Sequence, residues 1–275
     1  MNNTQFKIPT IREILRKNDI KIKKSLGQNF LFDINITDKI VKKSEPIKQT
    51  IIEVGPGPGS LTRSILKKNP KILFAIDKDT QSNKMLAELK LIYKNKLNII
   101  IDDALYYPIW KLGLPPRQVI ANLPYNLATK MLISWLKHIH HFDSLTLMFQ
   151  KEVADRIVAK PGSKHYGRLS ILTNWLTATT KLFDIPNSAF IPPPKVQSSV
   201  IQLKPFSKPI FDVSFESLEK ITHLAFSQRR KMLKTSLKKV NGHMILESLN
   251  ISPNIRPESL SIIDFCKLAK KIYEN

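Results

Sequence analysis

The chain has 275 residues, of which 42% are hydrophobic, so it can bury a sizeable core and is not a disordered tail. Lys and Arg number 44 against 22 Asp and Glu, which gives a formal net charge of +22. This excess indicates a polyanionic partner, and nucleic acid is the first inference. Because many lysines are scattered singly, the contact surface has to be identified from clusters of basic residues and not from the total charge.

Cysteine usage and hydropathy exclude several classes of protein. Cys266 is the single cysteine, so an intramolecular disulfide and a cysteine-based zinc site are excluded. No apolar run approaches the roughly 20 residues that cross a bilayer. The segment Met1–Arg16 lacks the apolar core of a signal peptide. We therefore expect a cytoplasmic protein without a membrane partner.

A basic stretch over residues 21–32 runs into a glycine turn and then an aromatic and apolar patch. It contains Gln28, Asn29 and Leu31. Basic residues beside Gln and Asn can close over a polar ligand or hold phosphates. An ordinary helix cap before the helical pattern that starts near Ile34 is the alternative, and the residues alone leave it open.

Residues 50–54 predict a buried strand, which a glycine-rich loop joins to a helix. The loop carries Gly55, Gly57 and Gly59 after the acidic Glu53. A strand, glycine loop and helix are typical of nucleotide-binding α/β units. The spacing is Gly-x-Gly-x-Gly, and the interleaved prolines leave little to hold a pyrophosphate. The loop therefore favours S-adenosylmethionine over a dinucleotide, with Glu53, Gly55 and Gly57 as candidate cofactor contacts.

Polar side chains follow three further predicted strands. These strands cover residues 72–76, 97–101 and 118–121. Asp77 lies roughly 20 residues past the glycine loop, where a doubly wound fold places a ribose-binding carboxylate. Asp103 can meet the adenine edge of the cofactor or serve as a turn residue. Since ligands bind at the carboxyl ends of such strands, Gly55, Asp77, Asp103 and Asn122 should open onto one crevice.

The stretch Asn122-Leu123-Pro124-Tyr125 suits a planar base that carries an exocyclic amine. The Asn122 amide oxygen and the Leu123 carbonyl can each accept one amine hydrogen, and Pro124 supplies no N–H. Tyr125 would stack on the ring. Accepting both hydrogens localises the nitrogen lone pair, so N6-adenine methylation is the hypothesis. A strand end followed by a turn is the alternative.

Three histidines, His138, His140 and His141, invite a metal interpretation. No Cys, Asp or Glu at ligand spacing supports it, and methyl transfer from a sulfonium requires no metal. We therefore expect no metal. The next strand is predicted over residues 145–149.

Two basic segments are candidate RNA contacts. A loop at residues 160–168 contains Lys164, Tyr166 and Arg168, and an aromatic among basic residues suits single-stranded nucleic acid, although a solvated hairpin is equally compatible. Further on, Arg229, Arg230 and Lys231 begin a basic cluster on a helical segment.

A rigid proline-rich segment at residues 190–196 precedes a strand predicted over 199–203. Phe190 could form the second wall of a base pocket opposite Tyr125, or it could be a core residue. Prolines at 205 and 209 indicate a linker. The predicted domains are an N-terminal extension (1–20), a Rossmann-like α/β methyltransferase domain (21–204) and a small all-helical RNA-binding domain (205–275).

From about Lys23 onward the chain resembles the ribosomal RNA adenine dimethyltransferases, in particular the members that act on the small subunit. The resemblance rests on seven segments: Ser25–Leu31, Glu53–Thr62, Asn122–Tyr125, Gln150–Arg156, Tyr166–Ser170, Phe190–Val196 and Ala225–Lys231. It implies dimethylation of two adjacent adenines in a hairpin near the 3′ end of small-subunit rRNA.

The resemblance also implies residue roles. Cofactor contacts would fall on Asn29, Leu31, Gly55, Asp77, Asp103 and Asn122, and base contacts on Asn122, Leu123, Tyr125 and Phe190. Two positions depart from the family pattern. The ribose position often carries Glu and here is Asp77, which leaves Asp79 a rival. The residue before Asp103 is often Gly and here is Asp102, so either carboxylate could meet the adenine amine.

Two other functions remain open on the sequence. One is the related large-subunit rRNA methyltransferase that confers macrolide resistance, and the other is a non-catalytic RNA-binding assembly factor. Leu123 in place of an isoleucine and the Gln228-Arg229-Arg230 helix favour the small-subunit enzyme. The expected partner is small-subunit rRNA within a pre-30S particle, bound by a monomer.

Overall fold

A computed structural model of the chain describes residues 10–17 and 29–274. The chain divides into two compact units. The first comprises the residues up to Lys151 together with Lys181–Leu203, and the second comprises Glu152–Thr180 with the residues from Lys204 onward. Within the described ranges, no helix is both long enough and apolar enough to span a bilayer.

The described strands form a seven-stranded mixed sheet and a separate two-stranded ribbon. They are β1 (Phe30–Leu31), β2 (Thr50–Val54), β3 (Ile72–Asp77), β4 (Leu97–Ile101), β5 (Arg117–Asn122), β6 (Ser144–Gln150), β7 (Thr177–Ile185), β8 (Phe190–Ile191) and β9 (Ser198–Pro205). The order across the sheet is β4-β3-β2-β5-β6-β9-β7.

Helices alternate with the strands in the first part of the chain and follow them in the last part. They are α1 (Ile11–Lys17), α2 (Ile34–Lys43), α3 (Ser60–Lys67), α4 (Gln81–Ile92), α5 (Ala128–Leu136), α6 (Lys151–Ile157), α7 (Arg168–Leu176), α8 (Phe215–Ser227), α9 (Leu233–Ser236), α10 (Gly242–Ser248) and α11 (Ile262–Tyr273).

The sheet has the strand order of a doubly wound fold, as the sequence predicted. β2 pairs in parallel with β3 and with β5, β3 with β4, and β5 with β6, whereas β9 runs antiparallel to β6. The strands read as continuous apolar runs because helices cover both faces of a parallel sheet. The chain reverses its direction of winding between β2 and β5, where open α/β sheets bind ligands.

The ribbon of β1 and β8 brings two distant segments together. Phe30 pairs with Ile191 and Leu31 with Phe190, in antiparallel register. Phe30, Leu31 and Phe190 are all buried. The ribbon therefore fixes the segment that precedes α2 beside the proline-rich segment that precedes β9.

The second unit is a helical bundle in which α8 packs against α7 and α11. Leu218, Ile221 and Phe265 are fully buried in it. The predicted boundary at 204/205 therefore differs from the structure, which groups residues 152–180 with the C-terminal helices. The prolines at 205 and 209 indicated a linker, but sequence periodicity cannot show that the earlier α7 packs onto the later α8.

Candidate functional site

A cleft of about 250 Å³ opens at the carboxyl ends of β2, β3, β4 and β5, within the first unit. Its walls bring together most of the residues that the sequence singled out: Asn29, Gly55, Gly57, Asp77, Asp102, Asp103, Asn122, Leu123 and Tyr125. The expectation that these strand ends share one crevice is confirmed by this placement.

The glycine loop forms one wall of the cleft with its backbone. A side chain in place of either Gly55 or Gly57 would strain this backbone. Gly55 and Gly57 have φ angles of +69° and +51°, in the left-handed region that glycine adopts without strain. A Cβ at Gly57 would lie 2.6 Å from the Phe30 ring, and one at Gly55 would lie 3.5 Å from the Asn122 carbonyl oxygen. The loop therefore approaches both the β1 segment and the end of β5 closely.

Asp77 presents its carboxylate at the end of β3. Its Oδ1 accepts from the Asp79 amide at 3.0 Å, and its Oδ2 accepts from the Ser82 hydroxyl at 2.6 Å. Burial raises the pKa of Asp77, and these hydrogen bonds partly offset the rise. The rival Asp79 accepts instead from the Gln81 amide at the start of α4. Of these two carboxylates, Asp77 is the one on the cleft wall.

Asp102 and Asp103 both line the cleft beyond β4. Oδ1 of Asp103 accepts from the Leu105 amide at 3.0 Å, and its Oδ2 lies 3.6 Å from the Lys78 ammonium nitrogen. The more exposed Asp102 accepts from the Asp103 amide at 2.7 Å. Asp103 thus supports the turn and also faces the cleft, and Asp102 shares the wall with it.

The Asn122–Tyr125 segment leaves β5 along the wall of the cleft. Nδ2 of Asn122 donates to the Asn29 carbonyl at 3.3 Å, which fixes the orientation of the amide. Within the described residues, neither Oδ1 of Asn122 nor the Leu123 carbonyl accepts a hydrogen bond. The Pro124 carbonyl accepts from the amides that begin α5, at 3.0 and 2.9 Å. Two acceptors therefore remain available beside an aromatic ring.

Glu53 was predicted to contact the cofactor, but its side chain is buried and does not form the cleft wall among the described residues. Burial is the main cause that raises the pKa of Glu53 to about 8; hydrogen bonds to Thr62 oppose the rise, and the nearby Asp77 adds to it. The carboxyl is therefore largely neutral at pH 7. Its Oε2 has no hydrogen-bond partner within the described chain.

The raised pKa of Glu53 predicts a pH-dependent stability. The folded state retains a proton that the unfolded chain releases near its ordinary pKa of 4.5, so stability falls as pH rises from about 4.5 to about 8. The Glu53→Gln variant should lack this decline, which we expect to be on the order of a few kcal/mol. Urea unfolding of both proteins across this range measures the difference.

A matched control for this measurement is Glu45→Gln, at a partly exposed carboxylate that lies 2.8 Å from the Lys68 ammonium nitrogen. It should not remove the decline. If the free energies of unfolding of wild type and Glu53→Gln differed by the same amount at every pH, Glu53 would not have the raised pKa that its burial implies.

Two predicted ligand contacts lie in the core instead. Leu31 and Phe190 are 4% and 1% exposed and belong to one hydrophobic cluster, in which they pair across β1 and β8. Neither residue lines the cleft in the described part of the chain, so the cofactor contact of Leu31 and the base contact of Phe190 stay predictions. Gln28 lies outside the described residues.

The predicted RNA contacts belong to the second unit. Lys164, Arg229, Arg230 and Lys231 are exposed, and Arg168 is half-buried. Arg229, Arg230 and Lys231 lie in the turn that follows α8, and not on a helix as the sequence predicted. The Arg229 guanidinium donates to the Lys164 carbonyl, so the loop and this turn form one basic surface.

Tyr166 is a correction to the predicted RNA surface. Its side chain is fully buried and meets the Phe226 ring edge-on, with ring centroids 6.4 Å apart. The ring is therefore not available to stack on a base. Basic neighbours suggested a surface loop, whereas the aromatic anchors that loop in the core of the unit.

The histidine segment serves packing in this structure. The His138 ring stacks on Trp110 with centroids 3.7 Å apart and planes 12° from parallel. Among the described residues, no group of three or more His, Cys, Asp or Glu is arranged to hold a metal ion.

Several cleft residues escaped the sequence reasoning. Phe30 and Lys78 line the cleft, Ser82 holds the Asp77 carboxylate, and Ser198 holds the Tyr125 hydroxyl. Ser82 lies five residues after Asp77, so its helical position offered a signal. Phe30 and Ser198 act on residues far away in the chain, and only the folded structure reveals those contacts.

Comparison with known proteins agrees with this geometry. The family model "Ribosomal RNA adenine dimethylase" matches residues 19–274. A ribosomal RNA small subunit methyltransferase A from Rhodospirillum rubrum is 43% identical over 96% of this chain and 93% of its own length. The relative of the same name from Agrobacterium fabrum is 46% identical over 95% of this chain and 97% of its own.

Solved structures show the same fold. A dimethyladenosine transferase from Plasmodium falciparum superposes with a TM-score of 0.73 at 27% identity, over 86% of this chain and 94% of that one. The 23S rRNA methyltransferase ErmE shares the fold, with a TM-score of 0.67 at 20% identity. The predicted Rossmann-like methyltransferase fold is thereby confirmed, and the chain belongs to the ribosomal RNA adenine dimethylase family.

Proposed function

We propose that this chain transfers methyl groups from S-adenosylmethionine to N6 of two adjacent adenines in a 3′-terminal hairpin of small-subunit rRNA. The product is N6,N6-dimethyladenosine. The observation that carries the proposal is the orientation of Asn122: its Nδ2 is tied to the Asn29 carbonyl, so its Oδ1 and the Leu123 carbonyl can both accept amine hydrogens beside Tyr125.

The cleft suits S-adenosylmethionine in both shape and chemistry. Gly55 and Gly57 line the cleft without side chains, in a left-handed backbone conformation, so a ligand could approach the backbone there closely. Asp77 would accept from the ribose hydroxyls, and Asp103 or Asp102 from the adenine amine. The bound cofactor supplies a methyl group on a sulfonium, whose C–S electron pair goes to sulfur as the N–C bond forms.

The residues of the chain would act on the target base. Asn122 Oδ1 and the Leu123 carbonyl accept the two N6 hydrogens and so localise the nitrogen lone pair toward the methyl group. Tyr125 stacks on the adenine, which must leave its helix to reach the cleft. The amine becomes acidic once alkylated, so its proton leaves to a neighbouring acceptor or to water. No strong general base is required.

The basic surface of the second unit would hold the RNA. Lys164, Arg229, Arg230 and Lys231 are exposed cations that can contact phosphates, with the half-buried Arg168 beside them. We further propose that the substrate is rRNA within a pre-30S particle, that the enzyme acts as a monomer, and that it works in the cytoplasm where small subunits assemble. A role in small-subunit biogenesis follows from that substrate.

The large-subunit alternative is not favoured, because the curated relatives at 43–46% identity are named for the small subunit. A purely non-catalytic assembly factor is not favoured either, since the glycine loop and the Asn122 acceptors are intact.

A direct test offers the protein labelled S-adenosylmethionine with unmethylated small subunits, large subunits or duplex DNA. Digestion should then yield N6,N6-dimethyladenosine from small-subunit RNA alone. Transfer to large-subunit RNA, or no transfer to any of them, would overturn the proposal.

Replacement of Gly57 by Ala should weaken cofactor binding about tenfold or more, because a left-handed backbone strains a residue with a Cβ and the new methyl meets Phe30. Calorimetric titration with S-adenosylhomocysteine measures the loss. The matched control is Gly162→Ala, where φ is +84° but no atom lies within 4 Å of the added Cβ. Equal affinities in wild type and Gly57→Ala would refute the assigned position of the loop.

A further inference from the structure

The ring of Tyr125 is held at its far end by a residue from another strand. Its hydroxyl oxygen lies 2.5 Å from the hydroxyl oxygen of Ser198, the first residue of β9. Ser198 is fully buried and lies behind Tyr125, not on the wall of the cleft as far as the structure describes it. The hydroxyl oxygen of a tyrosine lies on the axis about which the ring turns, so this contact fixes the long axis of the ring, and the preference of the phenol O–H for the ring plane favours one orientation about that axis.

We propose that Ser198 is a positioning residue, which holds the Tyr125 ring at the angle that stacking on the target adenine requires. The role rests on the proposed methyl transfer. Ser198 would act through Tyr125, because its hydroxyl contacts the phenol while Ser198 itself is not among the described residues that line the cleft.

The backbone of Ser198 is itself fixed against the strand that lies next to β5. Ser198 pairs with Gln150 at the end of β6 in antiparallel register, and the Lys151 amide donates to the Gln197 carbonyl at 2.8 Å. β6 pairs in parallel with β5 up to Asn122 opposite Met148. Ser198 is therefore held at the same end of the sheet at which β5 leads into the segment Asn122–Tyr125.

The residue after Ser198 adds a second anchor. The Ser199 hydroxyl donates to Oδ1 of Asp184 at 2.6 Å, and Asp184 also accepts from the ammonium groups of Lys151 at 2.5 Å and Lys181 at 2.8 Å. Although partial burial opposes it, these donors hold the pKa of Asp184 well below its usual range. The anchor therefore stays charged at neutral pH and locks the start of β9.

The hydrogen bond between Tyr125 and Ser198 also persists at working pH. Burial raises the pKa of the Tyr125 phenol, and the Ser198 contact offsets part of that rise. The phenol thus keeps its proton, and the two hydroxyls can each donate or accept. A bond that served folding alone would change stability and leave the rate of methyl transfer untouched, and kinetics can separate these two roles.

The test compares Ser198→Ala, Tyr125→Phe, the double variant and Ser198→Thr in single-turnover methyl transfer to saturating small subunits. We expect Ser198→Ala and Tyr125→Phe each to slow transfer about tenfold, the worth of one buried hydrogen bond. The double variant should be no slower than the slower single variant, because both remove the same contact. Ser198→Thr keeps the hydroxyl and should restore the rate to within about twofold of wild type.

The control is Ser144→Ala, at a buried serine at the opposite end of β6 whose hydroxyl accepts from the Gln118 amide at 3.1 Å. It should transfer at the wild-type rate, and affinity for S-adenosylhomocysteine should be unchanged in every variant.

A wild-type rate in Ser198→Ala, or losses that multiply in the double variant, would overturn the positioning role. If Ser198→Ala fails to fold, the same hydrogen bond is tested through Tyr125→Phe, whose wild-type rate would overturn it. Absence of transfer by wild type would instead overturn the proposed function, and this role with it.

Discussion

Replacing Asn122 with Ala is expected to lower the rate of methyl transfer by roughly 10²–10³-fold, the usual loss for one preorganised polar group at a reacting centre. The variant loses the Oδ1 acceptor that faces the cleft, so the adenine lone pair is no longer held toward the methyl group. The cost to folding should be small, since the Asn122 side chain makes one hydrogen bond to the described residues, of 3.3 Å to the Asn29 carbonyl. Single-turnover kinetics on unmethylated small subunits measure the effect.

The matched control is Asn98→Ala, at a half-buried asparagine in the middle of the edge strand β4. Its rate should stay close to that of wild type. An Asn122→Ala enzyme that transfers methyl at the wild-type rate, or an equal loss in Asn98→Ala, would show that the amide is not an acceptor for the amine.

Replacing Tyr125 with Ala should reduce methyl transfer by about 10²-fold while leaving affinity for the small subunit nearly intact, because one base–aromatic stack is worth roughly 1–3 kcal/mol. Subunit affinity should persist, since the exposed cations of the second unit do not depend on this ring. Filter binding and single-turnover kinetics on the same preparation separate the two quantities.

The control for Tyr125 is Tyr106→Ala, which removes a ring that is 79% exposed in the same unit. Its rate of transfer should change little. The account would be contradicted if Tyr125→Ala bound the small subunit more weakly but transferred methyl groups at an unchanged rate per bound particle. Tyr125 would then serve RNA binding and not the methyl-transfer step.

The strands β2, β3, β4 and β5 were predictable because each is an apolar run that is ended or followed by Gly, Asp or Asn. Residues 50–54, 97–101 and 118–121 match β2, β4 and β5 to within one residue at each end. β7 escaped prediction because its outward positions are polar, as an edge strand allows. Local pattern thus identifies buried strands better than edge strands.

The candidate site was predictable where its residues follow a strand directly, as Gly55, Asp77 and Asn122 do. It was not predictable where a distant segment decides whether a side chain is exposed. Phe190 is buried because β8 pairs with β1, and Tyr166 is buried because Phe226 lies against it. Motif residues on loops therefore need the tertiary structure before a contact can be assigned to their side chains.

The central claim is that Asn122, Leu123 and Tyr125 hold the target amine beside the glycine loop. A crystal structure of the protein with S-adenosylhomocysteine and a small-subunit hairpin tests it most directly. We predict a flipped adenine stacked on Tyr125, with N6 about 3 Å from both Asn122 Oδ1 and the Leu123 carbonyl. An adenine whose N6 contacts neither acceptor, in a complex competent for transfer, would contradict the claim.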